Sequence, residues 1–182
     1  MEKIGVVGAG LMGGEIALVF ALAGHEVRLN DRDQAALDRA MARLSDLLGK
    51  GVARGLYTEA DVAALARIHP TTDLTDFSDV DLVTEAVFES LDVKGAVLAR
   101  LGEVCKPGCL IATNTSTIPI STLAAALPAD RRGRFVGTHY FSPVSRMKLV
   151  EVIPAFETDE AAVADAMQLT AGAGKTPIRV KD

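Results

Sequence analysis

IGVVGAGLMGG, at residues 4–14, is a short apolar run followed by a glycine-rich turn that opens into a helix, predicted over 11–23. This order predicts a binding site for a pyrophosphate. Gly8 permits the tight turn, Gly10 leaves the backbone open to a phosphate oxygen, and Gly13 lets the helix pack closely on the strand. The first N–H groups of the helix point at the anion, and the helix dipole adds to the attraction.

The context of this motif carries more weight than the glycines alone. A second strand, predicted over 26–30, ends directly before Asp31, which lies 18 residues beyond Gly13. An acidic residue at about this distance accepts hydrogen bonds from the ribose of NAD, and its charge repels the 2′-phosphate of NADP. NAD is therefore the expected cofactor, and Arg32 beside this carboxylate weakens the preference for it only slightly. The alternative is a glycine-rich helix start that binds no ligand.

Composition narrows the classes of function. The chain has 182 residues, 49% of them hydrophobic, which suffices for one well-buried domain. Its net charge is −5 and it has neither a basic run nor a tryptophan, so nucleic acid is not an expected partner. No apolar run is long enough to span a bilayer. The N-terminal stretch imitates a signal peptide, but Glu15 interrupts it, and we expect a cytoplasmic or organelle-matrix protein.

The two cysteines, Cys105 and Cys109, flank a turn at Pro107-Gly108. Neither a second cysteine pair nor a histidine cluster lies nearby, so no metal site is predicted. Two reduced thiols are the expected state in a cytosolic setting.

Strands and helices are predicted to alternate along much of the chain. Beyond the first two strands, the predicted elements are a helix at 34–53, a helix at 58–67 capped by Thr58, strands at 68–71 and 82–85, a helix at 91–104, and strands at 110–113 and 177–180. This alternation predicts an α/β fold with a doubly wound, Rossmann-type, mainly parallel sheet and extra C-terminal strands. Ligands of such sheets bind at the carboxyl ends of the strands.

Two loops at those carboxyl ends hold candidate cofactor contacts. The loop residues expected to line the cofactor are Val87, Phe88, Glu89, Lys94, Asn114 and Ser116. The second loop is equally suited to cap a helix before Pro119, and capping is compatible with ligand binding. Elsewhere, Lys50 and Arg54 either meet a phosphate of the substrate or are simply solvated.

Strands predicted at 135–140 and 148–153 indicate a histidine–glutamate pair. If these strands pair antiparallel about Ser145, His139 lies opposite Glu151 across the ladder. A glutamate beside a histidine fixes the tautomer of the ring and stabilises the imidazolium. Such a pair is either a structural bond or, in a sheet that also binds NAD, a catalytic acid/base.

The other two histidines, His25 and His69, are predicted to be structural. Both lie at the start of strands, and neither is expected to have a carboxylate partner.

Three segments together, GAGLMG, NTSTIPI and GTHYFSPVSRMKLVEVI, make the chain resemble the L-3-hydroxyacyl-CoA dehydrogenase family. The resemblance covers almost the whole chain and is greatest to the dehydrogenase part of multifunctional fatty-acid oxidation enzymes. It implies that His139 is the catalytic acid/base, that Glu151 is its partner, and that Ser116 contacts both the substrate hydroxyl and the cofactor. The complete set of expected cofactor contacts is Gly8, Gly10, Leu11, Met12, Gly13, Asp31, Val87, Phe88, Glu89, Lys94, Asn114, Ser116 and Ser142.

The chain departs from the family pattern in two places. Many members have asparagine at the position of Ser142, whereas the multifunctional branch often has serine. The family also continues into a helical second domain, which supplies a further catalytic asparagine, part of the acyl-CoA site and the dimer contacts. The chain ends at Asp182, so we expect residues 1–182 to be a single dinucleotide-binding domain without the substrate and dimerisation domain. Whether it is an excised or a naturally truncated form is open.

The resemblance implies NAD-dependent oxidation of L-3-hydroxyacyl-CoA to 3-oxoacyl-CoA in fatty-acid β-oxidation. An acyl-CoA is the implied substrate, and the full-length form is expected to be a homodimer or part of a multifunctional complex. One alternative is a dehydrogenase for another 3-hydroxy acid, such as 3-hydroxybutyryl-CoA or a sugar acid. Another is a module that holds NAD and performs no chemistry on its own.

Overall fold

The strands and helices of the chain follow the predicted alternation. The computed structural model describes residues 2–182. The strands are β1 (Lys3–Val7), β2 (Glu26–Asn30), β3 (Ile68–Thr71), β4 (Leu82–Glu85), β5 (Leu110–Thr113), β6 (Phe135–Tyr140), β7 (Leu149–Pro154) and β8 (Thr176–Arg179). The helices are α1 (Leu11–Leu22), α2 (Gln34–Ala53), α3 (Glu59–Val62), α4 (Leu91–Val104), α5 (Ile120–Ala124) and α6 (Glu160–Gly172). None of the helices in the described range combines the length and the apolar character that a membrane crossing requires.

The described strands form one sheet in the order β3-β2-β1-β4-β5-β6-β7-β8. Strands β1 to β6 pair with one another only in parallel, whereas β7 runs antiparallel to β6, and β8 runs parallel to β7. The predicted doubly wound, mainly parallel sheet with extra C-terminal strands is therefore confirmed. Its strand order reverses between β1 and β4, and the crevice outside the carboxyl ends of the strands at such a point is where ligands bind in these folds.

Helices cover both faces of the sheet and bury a separate apolar core on each. Leu110 and Ile111 are neighbours in β5 but belong to different cores, because successive side chains of a strand point to opposite faces. Residues of α1, α2 and α6 fill one core, and residues of α4 and α5 fill the other. The parallel strands are thus covered on both sides, as their continuous apolar sequences require.

Helix α1 is more deeply buried than an amphipathic pattern would make it. The spacing of Ile16, Val19 and Phe20 predicts one buried face, yet all residues from Gly13 to Ala21 are buried. The reason is that α1 packs against β1, β2, α2 and the 3-10 helix Ala63–Arg67 together. The predicted helix at 58–67 divides accordingly into α3 and this 3-10 helix. The reciprocal cap between Thr58 and Asp61 at its start is present.

The prediction that His69 lacks a carboxylate partner is wrong. Its Nε2 lies 2.7 Å from Oε2 of Glu26. The partner comes from the neighbouring strand, since β2 and β3 pair in parallel with Arg28 opposite His69. Both side chains of this ion pair are about half exposed, and its residues lie toward the amino ends of their strands.

The close approach of α1 to β1 depends on Gly13. A Cβ on this residue would lie 1.8 Å from the backbone oxygen of Gly8. We expect Gly13→Ala to lower the free energy of unfolding by at least the ~1–3 kcal/mol typical of overpacking, because a backbone atom must move. Urea denaturation measures this loss. The matched control is Gly49→Ala in α2, where the added methyl meets no atom within 4 Å. Equal stability of the two variants would contradict the proposed packing constraint.

Candidate active site

The glycine turn between β1 and α1 has the conformation that the motif predicts. Gly8 has a φ of +102°, and a Cβ there would lie 2.6 Å from the backbone oxygen of Ala86. Gly10 precedes the helix, and a Cβ on it would meet no atom within 4 Å. The backbone of this turn is therefore open to a ligand from outside, at the N-terminus of a helix that favours an anion.

Asp31 lies at the end of β2, next to the glycine turn. Its Oδ2 accepts a hydrogen bond of 2.9 Å from the N–H of Ala9, and its Oδ1 accepts one of 3.1 Å from the N–H of Asp33. The carboxylate is thus fixed in direction while the side chain remains partly exposed. This is the placement that contact with a ribose hydroxyl requires.

The strongest electrostatic feature of the carboxyl edge is a fully buried ion pair that the sequence analysis missed in part. The side chains of Lys94 and Glu85 are both 0% exposed, and Nζ of Lys94 lies 2.9 Å from Oε1 of Glu85. The same ammonium group donates to the backbone oxygens of Val87 and Asn114, at 3.3 and 3.2 Å. Thr113 donates to the other oxygen of Glu85 at 2.6 Å. Lys94 was predicted to line the cofactor, but its ammonium group lies beneath the two loops and joins them.

A signal for Glu85 was present in the sequence. It is the only charged residue in the otherwise uncharged strand Leu82–Glu85, and it precedes Lys94 by nine positions. A carboxylate in a central strand needs a partner, and Lys94 on the following helix was the available cation.

Glu89 organises the loop that follows β5. Its Oε1 accepts hydrogen bonds from the hydroxyl of Thr115 at 2.6 Å, from the N–H of Ser116 at 3.0 Å, and from both the N–H and the hydroxyl of Thr117. Its Oε2 lies 3.4 Å from Nζ of Lys94. Burial raises the pKa of Glu89, but these hydrogen bonds and the Lys94 charge outweigh burial and lower it to about 2.

The remaining predicted contacts at this edge are apolar or exposed. Leu11 and Phe88 follow the adjacent strands β1 and β4, and they are 59% and 78% exposed. Met12 and Val87 are partly buried against the cores below. Ser142 is exposed in the loop between β6 and β7.

The predicted histidine–glutamate pair is present, and it has a third member. Strands β6 and β7 place His139 opposite Glu151, and Nδ1 of His139 lies 2.9 Å from Oε2 of Glu151. Nε2 of the same ring lies 3.1 Å from the hydroxyl oxygen of Ser116. A carboxylate only accepts, so Nδ1 carries the proton in the neutral ring and Nε2 is left as an acceptor. This nitrogen is the one that could take a proton from a ligand.

Asn114 connects the end of β6, next to His139, with the end of β4. Its side-chain oxygen accepts a hydrogen bond of 3.0 Å from the N–H of Tyr140, the residue after His139. Its own N–H donates to the backbone oxygen of Glu85 at 2.7 Å. The side chain of Asn114, predicted as a cofactor contact, therefore binds the end of β6.

A cavity of about 900 Å³ opens between α1, α2 and the loop from β6 to β7. Its lining includes the cationic residues Lys50, Arg54 and Arg146 as well as the carboxylate of Glu15. Lys50 is paired with Asp46 at 2.6 Å, and both of these side chains are mostly exposed. Even with Lys50 paired, Arg54 and Arg146 outnumber Glu15 in the lining. The cavity thus presents more positive than negative charge to a ligand.

Both cysteines are free thiols and are buried. Within residues 2–182, His, Cys, Asp and Glu side chains nowhere form a group of three that could hold a metal ion.

Comparison with known proteins agrees with the motifs. The family model for the NAD-binding domain of 3-hydroxyacyl-CoA dehydrogenase matches residues 3–182. A probable 3-hydroxybutyryl-CoA dehydrogenase of Deinococcus radiodurans is 42% identical over 180 residues, which are 99% of this chain and 64% of the relative. The alpha subunit of the fatty acid oxidation complex of Psychrobacter arcticus is 44% identical over 183 residues, which are 100% of this chain and 25% of the relative.

A solved structure gives the same result. The crystal structure of 3-hydroxybutyryl-CoA dehydrogenase from Escherichia coli K12 superposes with a TM-score of 0.94 at 40% identity, over 99% of this chain and 38% of that one. The chain thus spans less than two thirds of the length of each of these relatives. The family resemblance and the expectation of NAD as the cofactor are confirmed.

The lowered pKa of Glu89 predicts an acid-dependent loss of stability. A carboxylate with a lower pKa in the folded state stabilises the protein above its unfolded pKa of 4.5, and this contribution is lost as the pH falls toward about 2. We expect Glu89→Gln to be less stable than the parent at about pH 7, and the difference to shrink at about pH 3. Urea unfolding at both pH values measures it. Glu103→Gln, which removes an exposed pair with Arg100, is the control and should show little change at either pH. A pH-independent difference for Glu89→Gln would contradict the ionic role of Glu89.

Proposed function

Because the chain belongs to the 3-hydroxyacyl-CoA dehydrogenase family through its NAD-binding domain, we propose that it carries the cofactor site and the catalytic histidine for oxidation of an L-3-hydroxyacyl-CoA to the 3-oxoacyl-CoA. The observation that carries this proposal is the position of His139 between Ser116 and Glu151. The ring has its proton-accepting nitrogen at the carboxyl edge of the sheet and its other nitrogen on a carboxylate. That is the arrangement of a general base.

The residues at this edge fit NAD. The open backbone at Gly10, the helix N-terminus behind it and the fixed carboxylate of Asp31 suit a pyrophosphate and a ribose. The cofactor, when bound, supplies the acceptor for the hydride that leaves C3 of the substrate. The groups that we propose for the proton transfer, His139, Glu151 and Ser116, belong to the chain.

His139 accepts the proton of the substrate hydroxyl at Nε2. The imidazolium so formed still donates its Nδ1 proton to Glu151 in a hydrogen bond. The negative charge of Glu151 stabilises the positive ring. The hydroxyl of Ser116, now 3.1 Å from Nε2, is released to contact the substrate oxygen and the cofactor. Glu89 holds the backbone of Ser116, which keeps the serine in place during these steps.

The cationic cavity supports an acyl-CoA rather than a small hydroxy acid with a single carboxylate. CoA carries several phosphates, and the ammonium and guanidinium groups of Lys50, Arg54 and Arg146 are suited to them. The names of the relatives favour short acyl chains in one case and fatty acids in another, so chain length stays open. A sugar acid, with one carboxylate, would leave most of these cationic groups without a ligand.

A second candidate is a module that holds NAD without performing chemistry. It is favoured by one observation, namely that the chain spans only 64% and 25% of the two curated relatives. If the substrate contacts of those proteins lie in the segments that this chain does not cover, these 182 residues alone lack the orientation on which catalysis depends. In longer chains we expect a homodimer or a multifunctional complex as the working form.

An assay of two proteins separates the candidates. One is the 182-residue chain, and the other is a chimera that continues into the remainder of the Deinococcus relative. NADH formation is followed with 3-hydroxyacyl-CoAs of increasing chain length. Turnover by the chimera but not by the shorter chain supports the dehydrogenase with a separate substrate region. Turnover by neither, with NAD bound by both, favours the binding module.

Asp31 is expected to select NAD. We predict that Asp31→Ala weakens NADH binding about tenfold or more, since a hydrogen bond to a charged group contributes ~1.5–3 kcal/mol. The preference for NADH over NADPH should narrow in the same variant, because the charge that repels the 2′-phosphate is gone. Calorimetric titration of both cofactors measures these effects, with Asp38→Ala on α2 as the control. Equal affinity of the parent for the two cofactors would contradict this role.

His139 and Glu151 are expected to be required for turnover and not for folding. In the chimera, His139→Ala should lower kcat by about 10²–10⁴, the usual contribution of general acid–base catalysis. Glu151→Gln retains the shape of the pair but removes the charge that stabilises the imidazolium, so kcat should fall more than the affinity for NADH. Measurements of kcat, NADH affinity and Tm distinguish this from a structural bond, with His25→Ala and His69→Ala as controls. A folded His139→Ala protein with normal kcat would refute the mechanism.

A further inference from the structure

The loop Phe141–Lys148 joins β6 to β7 and therefore connects His139 to Glu151 through the backbone. Two charged side chains from distant parts of the sequence bind this loop. Glu15 belongs to α1, and Lys175 directly precedes β8; each side chain contacts the loop. Neither residue was singled out as a site residue by the motifs.

Glu15 is a carboxylate in an unfavourable position. It is 6% exposed in a helix that is buried on nearly all sides. Its Oε2 accepts a hydrogen bond of 2.7 Å from the N–H of Ser145, which lies 130 residues away. Burying a carboxylate costs free energy unless it is paired or hydrogen-bonded, so the contact with the loop compensates for the position of Glu15.

Lys175 binds backbone oxygens of the same loop, whereas Glu15 binds a backbone N–H group. Its ammonium group donates to the backbone oxygen of Val144 and, at 3.0 Å, to that of Met147. Burial lowers the pKa of Lys175, and the charge of Lys148 lowers it further, while the negative charge of Glu15 acts in the other direction. The loop is thus held at Ser145 by Glu15 and at Val144 and Met147 by Lys175.

We propose that Glu15 is a positioning residue, which couples the cofactor-binding helix α1 to the loop that sets the His139–Glu151 pair. The proposal rests on the proposed function for the role of His139. Its physical basis is that one helix receives the pyrophosphate at its N-terminus and, one turn further on, holds the N–H of Ser145. A cofactor that fixes α1 therefore also fixes the loop, and a loop that is released leaves α1 less ordered for the cofactor.

The test uses the 182-residue chain and two variants of Glu15. Glu15→Leu removes the acceptor for the Ser145 N–H, whereas Glu15→Gln keeps an amide oxygen in its place. We expect Glu15→Leu to weaken NADH binding about fivefold or more, at the lower end of typical coupling between sites. It should also speed solvent exchange of the His139 Nδ1 proton, measured by NMR. The chain has three histidines, so His25 and His69 serve as internal references. Glu15→Gln should restore most of both properties.

A control separates positioning from plain stability. Leu127→Ala lowers stability from the core on the other face of the sheet, whereas Val144 of the loop belongs to the core that α1 fills. If Glu15→Leu matches the Tm loss of Leu127→Ala but leaves NADH affinity and His139 proton exchange unchanged, the proposal is wrong. If Glu15→Leu does not fold, Lys175→Met decides, since it releases the same loop from the other side. Weaker NADH binding and faster exchange in Lys175→Met support the proposal, and no change in either overturns it.

Both readouts are recorded without substrate. A parent chain that binds NADH but never yields 3-oxoacyl-CoA, even in the chimera, would therefore refute the proposed function and not the coupling. Unchanged binding and exchange in the variants would refute the coupling and not the proposed function.

Discussion

The active edge of the sheet depends on the burial of one positive charge. The ammonium group of Lys94 has no access to solvent, so the chain must satisfy it internally. Glu85 supplies the opposite charge, and the backbone oxygens of Val87 and Asn114 complete the shell. These partners belong to the ends of β4 and β5 and the loops that follow them. Neutralising Lys94 therefore fixes the relative position of both loops.

Further contacts extend from this ion pair to His139, the proposed catalytic base. Glu89 lies beside the ammonium group of Lys94 and accepts hydrogen bonds from the N–H groups of Ser116 and Thr117. The hydroxyl of Ser116 in turn lies within hydrogen-bonding distance of Nε2 of His139, and Nδ1 of the same ring contacts Glu151. The last three groups come from the loop after β5 and from the neighbouring strands β6 and β7. The reversal of β7 is essential here, because it brings a carboxylate to the carboxyl edge from a strand that starts there.

The sequence was sufficient for the architecture and for much of the site. The glycine turn, the alternation of strands and helices and the symmetry of two strands about Ser145 are local signals, and they led to the sheet and to the His139–Glu151 register. Contacts between distant segments were not available from such signals. The partner of His69, the burial of Lys94 and the contact of Glu15 with Ser145 arise only when separate strands and helices meet. Helix α1 likewise lacks an exposed polar face along most of its length, because β1, β2, α2 and the 3-10 helix Ala63–Arg67 all pack against it.

We propose that this network holds Ser116, His139 and Glu151 beside the place where a bound nicotinamide would receive the hydride. The most direct measurement is a crystal structure of the chain with NAD⁺. We expect the pyrophosphate on the glycine turn, the adenosine ribose on Asp31, and the nicotinamide ring beside Ser116 and His139, with the His139–Glu151 bond retained. A dinucleotide bound with its nicotinamide away from Ser116 and His139, or a histidine turned away from Glu151 in that complex, would contradict the account.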